Sequence, residues 1–123
     1  CGDGKQKRDY IYVSDVVKAF YAAAKSKYVN KIYNLGYGRP NTIKRMSKLI
    51  SNDSQKIPYR KGEPFVTHAD ISKIKKDLKW KPEISFKNGM KIIMKNINEW
   101  KTAPLWTTKG IKNYTKNWTK YIK

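Results

Sequence analysis

Two short runs of β-branched and aromatic residues, 8–13 (RDYIYV) and 31–35 (KIYNL), are each followed by the start of an amphipathic helix. Strand followed by helix, twice over, is an α/β signature. Two strands with intervening helices cannot make a self-sufficient doubly wound sheet. Everything after about residue 70 reads as helix after helix. The chain therefore reads as the end of a larger α/β fold, not as a complete one.

The local signals along the chain are regular. Ser14-Asp15 offers an N-cap and a negative first turn, and Val16, Val17, Phe20, Tyr21 and Ala24 follow at helical spacing as the face expected to be buried. Gly36 and Gly38 stop the second strand, and Thr42 caps a helix with Ile43, Met46, Leu49 and Ile50 inward. A polar loop at 51–55 leads to a short strand expected at 57–59, a turn at 60–64 and an extended run at 65–68. Asp70 is placed to cap a two-turn helix carrying Ile71, Ile74 and Leu78. Ser85 caps the most regular helix, with Phe86, Met90, Ile93, Met94, Ile97 and Trp100 on one side. Pro104 interrupts, and a last helix is expected over 107–122, carrying Ile111, Tyr114, Trp118 and Ile122.

Charge decides less than its size suggests. The 28 cations against 9 acids give a net charge of +19, which fits a nucleic-acid binder. Yet 24 of the cations are lysines spread from Lys5 to Lys123, with no dense arginine stripe to read base edges. Lysine, asparagine, isoleucine and tyrosine, all with A/T-rich codons, account for 55 residues, so codon usage explains the excess without a specific nucleic-acid partner. No apolar run approaches the roughly 18 residues of a membrane span, and no membrane partner is expected. With Cys1 the only cysteine and the first residues polar, a cytoplasmic setting is the natural reading.

The polar groups suited to anions gather at element ends: Arg8 before the first strand, Thr42 at a helix N-terminus, and Arg60 with Glu63 in a turn. Two arginines from separate loops suit a diphosphate, but arginines paired with neighbouring acids account for the same pattern. The remaining singletons read as structural. His68 is the only histidine and has no ordinary zinc partner set; Asp70 reads as a cap; Trp80 and Trp100 read as packing residues, and Trp106 and Trp118 as closing the last helix on the body. Tyr21 and Lys25 have the spacing of a Tyr-x-x-x-Lys pair, but Tyr21 belongs to the apolar positions and is expected in the core.

Three longer motifs carry a resemblance. "GDGKQKRDYIYVSDVVKAF" resembles the G-x-G-x-Q-x-R-D-[FY]-[IV]-[YH]-V-x-D-[VL] pattern of extended short-chain dehydrogenases, the nucleotide-sugar epimerases and dehydratases. "KIYNLGYGRPNTIKRMSKLI" is similar to the Y-N-[IL]-G-x-G-x-P-x-[ST]-[IV] strand–turn–helix of that family, and "YRKGEPFVTHADISKIKKDLKWKPEISFKNGMK" to its R-x-G-[DE] and later AD-x-S-K and L-x-W-x-P segments. The three stand in the family's order over residues 2–100. The resemblance implies that the whole chain, 1–123, is the C-terminal end of a Rossmann-type sheet plus a small, mostly helical substrate-binding subdomain. It implies that Arg8 and Arg60 meet the pyrophosphate of a nucleotide-diphosphate sugar, Glu63 the ribose hydroxyls, and Thr42 the base or ribose. Where the family often has another arginine or a tyrosine after the R-x-G-D turn, this chain has Phe65, Val66 and Thr67.

In the complete family enzyme NAD(P) takes a hydride from the sugar, commonly at C4, with a tyrosine upstream of these motifs as general base. The chain has no G-x-x-G-x-x-G turn, so neither cofactor-binding nor catalytic residues are assigned to it, and it is expected to be silent on its own. Its expected partners are the nucleotide sugar, the dinucleotide-binding portion it lacks and, in the complete enzyme, a second subunit. The alternatives are a freestanding basic module for nucleotides or nucleic acid, and a truncated relative serving as an assembly subunit.

Overall fold

The computed structural model describes residues 2–117 apart from 55, 58, 60 and 61. In chain order the elements are β1 (Lys7–Arg8), α1 (Val13–Ala24), β2 (Asn41–Thr42), α2 (Ile43–Ile50), α3 (Ser72–Leu78), α4 (Phe86–Lys95), a 3₁₀ turn (Ile97–Trp100) and α5 (Thr108–Thr115). The result is a helix-rich α/β arrangement around one small sheet. β1 and β2 are antiparallel, with Lys7 opposite Thr42 and Arg8 opposite Asn41. On the other edge of β1, Lys7 N–H donates to Phe65 O (2.8 Å) and Lys7 O accepts from Thr67 N–H (3.1 Å), a parallel bridge to Val66. Residues 4–8 are thus the centre of a narrow three-part strip.

Of the strand expected at 8–13 only Arg8 is in the sheet, the run at 31–35 forms no strand, and of the run at 57–59 residue 58 lies outside the described residues while Ile57 and Tyr59 are not in a strand. A strand is defined by a hydrogen-bonded neighbour, and beyond Arg8 no described segment lies alongside to supply one.

α1 departs from expectation in two ways. Its N-cap is Tyr12, with extended backbone and no side-chain cap, while Asp15 is fully buried. Asp15 Oδ2 accepts from Glu83 N–H (3.0 Å) and Ile84 N–H (2.9 Å), and the Asp15 carbonyl accepts from Trp80 Nε1–H (3.1 Å). The carboxylate serves a distant loop because buried amides need an acceptor more than an exposed first turn does. The second departure is orientation. Ala19 faces the core, whereas Val17, Phe20, Tyr21 and Ala24 are exposed, so four of the five positions of the expected apolar stripe are uncovered by the described residues.

The core is small: Ala19, Ile71, Ile74 and Trp80, flanked by Ile11, Tyr33 and Leu35. Beside it Phe86 and Met90 of α4 are buried, and the Tyr10 and Phe86 rings pack at 5.1 Å. The expected caps of α2 and α4 are present: Thr42 Oγ1 accepts from Arg45 N–H (3.1 Å) and Ser85 Oγ from Asn88 N–H (3.2 Å). Asp70 is displaced from the cap of α3 by Ile71 and instead accepts from Ser72 N–H (2.9 Å). The last helix is shorter than expected among the described residues, and Trp118 and Ile122 lie outside them. Trp100 and Trp106, expected to pack inward, are exposed, and Trp106 packs instead against the Tyr114 ring of α5 at 5.2 Å.

Candidate functional site

The strip built on residues 4–8 brings the three sequence motifs together at Arg8. The Arg8 side chain is only 21% exposed and lies between β2 and the loop that carries Glu63. Its Nη2 is 3.0 Å from Glu63 Oε1, and its Nη1 donates to Lys7 O at 2.8 Å. A guanidinium held by two acceptors in different directions is fixed in orientation, which an ammonium could not match. Glu63 Oε2 is buried with no hydrogen-bond partner among the described residues, so one lone-pair set of this carboxylate is available to a hydroxyl. Beside the pair, burial raises the Tyr10 phenol above its ordinary 10.0, opposed by the charge of Arg8.

Thr42 lies on β2 opposite Lys7, one position from the partner of Arg8. Its side chain is used as the cap of α2. Arg8, Glu63 and Thr42 therefore share one neighbourhood of the fold, while Arg60 lies outside the described residues. Next to Thr42 the structure adds Arg45, which the sequence reading had not singled out. Arg45 Nη1 donates to Asn41 Oδ1 (2.8 Å) and its guanidinium stands 5.8 Å over the Phe86 ring. Arg45 and Lys48, with Thr42, Lys44 and Leu49, line an open recess of about 330 Å³ along α2. The available signal was that Arg45 is one of only four arginines and sits three positions after a helix cap.

Asp9 was also missed as a separate feature. Its Oδ1 accepts from Tyr37 N–H and Gly38 N–H (3.0 Å each), and its Oδ2 from Ala69 N–H (3.1 Å). One carboxylate thus pins the turn after residue 35 and the 67–70 segment to the residue following Arg8. The pinning needs Gly36: a Cβ there would lie 2.5 Å from both Asp9 Oδ2 and Ala69 Cβ. His68 joins the same knot, with Nε2 3.1 Å from Gly38 O. Among the described residues no cluster of side chains could hold a metal ion.

The glycine turn at 36–38 does not suit a dinucleotide pyrophosphate. Its amides already donate to Asp9, and the space above Gly36 is filled by Asp9 and Ala69. Tyr21 and Lys25 are likewise accounted for: Tyr21 is exposed, not in the core as expected, and the Lys25 ammonium sits 4.4 Å over its ring.

Residues 1–93 match the family model described as GDP-mannose 4,6 dehydratase. The chain belongs to that family, within the nucleotide-sugar epimerases and dehydratases of the extended short-chain dehydrogenase class. Among curated proteins it is 38% identical over 106 residues to a putative UDP-glucose 4-epimerase of Methanocaldococcus jannaschii, covering 79% of this chain and 34% of the relative. It is 38% identical over 97 residues to the UDP-glucuronate 4-epimerase of Thermodesulfobacterium geofontis, covering 73% of this chain and 30% of the relative. The UDP-glucose 4-epimerase of Thermotoga maritima, solved with UDP-glucose, superposes with a TM-score of 0.71 at 34% identity, over 80% of this chain and 33% of that one. The chain thus spans about a third of the length of the relatives it matches.

Proposed function

We propose that this chain is the nucleotide-sugar-binding, C-terminal portion of an NAD(P)-dependent epimerase or 4,6-dehydratase. In this reading Arg8 engages the diphosphate, with Arg60 approaching it from the loop that also carries Glu63. The free Glu63 oxygen accepts from the ribose hydroxyls, and Thr42 lies beside the base or ribose. The observation that carries it is the Arg8–Glu63 pair, in which two residues from separate family motifs meet at 3.0 Å at the edge of the sheet strip. Relatives solved with UDP-sugars and NAD support the ligand class.

NAD(P) is assigned to the part of the relatives' length that this chain does not cover, because this chain carries no G-x-x-G-x-x-G sequence and its glycine turn at 36–38 is closed by Asp9. The residues of this chain bind and orient; they are given no bond-making step. The exposed stripe of Val13, Val17 and Phe20 on α1, together with the unpaired runs at 9–12 and 31–35, supports docking of this chain against a dinucleotide-binding portion.

A thermal-shift titration tests the reading. UDP and UDP-glucose are expected to raise the melting temperature of the chain. Arg8→Ala should weaken that protection by ten-fold or more in ligand concentration, since a charge-assisted contact contributes about 1.5–3 kcal/mol. Duplex DNA binding should disappear at roughly 0.15 M salt. Failure of both UDP ligands to protect, with DNA binding that survives salt, would overturn it in favour of a basic nucleic-acid module.

A further inference from the structure

The residues beyond 93 fall outside the family match, and they carry a surface that nucleotide-sugar binding does not use. Leu105 is 92% exposed, Tyr114 80%, Trp106 66% and Trp100 64%. Trp106 and Tyr114 pack together at 5.2 Å, tilted by 59°, so the loop before α5 and the helix present one aromatic ridge. Thr107 fixes the junction, its Oγ1 accepting from Gly110 N–H at 3.1 Å. At 100° per residue, Ile111 and Tyr114 fall on one side of α5, and Lys109, Lys112 and Lys116 on the other. Glu99 is the only acid between 97 and 117.

From this arrangement we propose that residues 100–117 form a membrane-surface docking element that seats Leu105, Trp106 and Tyr114 among the headgroups of an anionic phospholipid bilayer. Tryptophan and tyrosine suit the interface because each has an apolar body and a polar tip, and a lysine face opposite them meets the negative surface potential. The element lies on the bilayer; no helix among the described residues is long and apolar enough to cross it. Attachment of this kind needs no long apolar run, which is why hydropathy alone gives no membrane partner.

Competing occupants fit less well. A protein partner, the portion of the relatives' length that this chain does not cover included, would have to set acidic groups against Lys109, Lys112 and Lys116 and an apolar cleft against Trp106 and Tyr114 at once, whereas an anionic bilayer offers both over its whole surface. A second copy would bring two strongly cationic chains together.

The test is co-sedimentation of the chain with vesicles of phosphatidylcholine alone and of phosphatidylcholine with about one-third phosphatidylglycerol, at physiological salt. Binding is expected only to the anionic vesicles, with a blue shift of tryptophan emission. Leu105→Ser/Trp106→Ser keeps the net charge and should lower partitioning by ten-fold or more. Lys109→Glu/Lys112→Glu should lower it comparably while leaving Leu105 and Trp106 in place. All four positions are exposed, so circular dichroism of the variants should match that of the parent chain. Equal binding by the Leu105/Trp106 variant would reduce the effect to diffuse lysine charge and overturn the proposal. So would absence of vesicle binding, including the case where single-stranded RNA or an acidic protein is bound through these residues instead.

Discussion

Arg8 and Glu63 are 55 positions apart in the chain and 3.0 Å apart in space, each side chain about one-fifth exposed. Neither is fully desolvated, so their coupling should lie between that of a surface pair and a buried one. A double-mutant cycle on Arg8→Ala and Glu63→Gln, read by urea denaturation, is expected to give a coupling of about 1–2 kcal/mol. Arg8→Lys should not restore it, because one ammonium cannot reach Lys7 O and Glu63 in the guanidinium's fixed geometry. A coupling near zero would show the pair to be a solvated contact.

Asp9 should matter more to stability than Arg8. Asp9→Ala leaves the amides of Tyr37, Gly38 and Ala69 without their acceptor. At about 1–3 kcal/mol for each unsatisfied group, the loss should reach roughly 3–5 kcal/mol after local relaxation. Asp9→Asn keeps one carbonyl oxygen and should lose less. Gly36→Ala is expected to approach the Asp9→Ala loss, since the new methyl would sit 2.5 Å from Asp9 Oδ2 and Ala69 Cβ. Chemical denaturation of the three variants would order them, and an unperturbed Gly36→Ala would refute the close packing.

These two residues show what a sequence can and cannot reveal. Thr42 and Ser85 were legible as caps because the interaction is local, three residues from acceptor to donor. Helix positions followed from periodicity for the same reason. Asp15 misled, since its local cap signal was genuine but the folded chain uses its carboxylate 68 and 69 residues away. The short β1 and the exposed side of α1 were illegible from pattern alone, because β-propensity marks what would pair without supplying the neighbour. Of the candidate site, Arg8 and Glu63 stood out by their places at element ends, and the family motifs supplied their roles. Their direct contact, and the Arg45–Asn41 bond beside Thr42, needed coordinates.

The acid side of the stability curve should be governed by carboxylates with depressed pKa values. The side-chain hydrogen bond from Lys18 lowers Glu83 from its ordinary 4.5, and the backbone amide of Ser72 lowers Asp70 from 3.8. The backbone amide of Lys5 lowers Asp3 in the same way. A folded pKa below the unfolded one stabilises above the unfolded value and is lost as pH falls through the folded value. The contribution of these acids should therefore be fully present above about pH 5 and decline below 4.5, where they begin to bind protons more readily in the unfolded chain. Glu83→Gln should shallow that decline slightly. All three acids are solvent-exposed, so added salt should shrink the difference.

Alkaline behaviour should report Tyr33 alongside Tyr10, both phenols being raised by burial. Burial raises its phenol above the ordinary 10.0, reinforced by its hydrogen bond to Asp77 Oδ2 at 3.1 Å and by that carboxylate's charge. The sign is opposite to that of the acids. A raised folded pKa gives stabilisation fully present below the unfolded value and lost as pH rises through the folded one, so stability should fall above about pH 10. Tyrosinate absorbance of Tyr33→Phe, compared with the parent chain, should show that the missing transition is a late one. Asp77→Asn removes the charge that opposes ionisation while leaving an acceptor in place, and should move the Tyr33 transition downward. If that variant leaves the transition where it was, burial alone sets the phenol's pKa and the Asp77 contact contributes nothing to it.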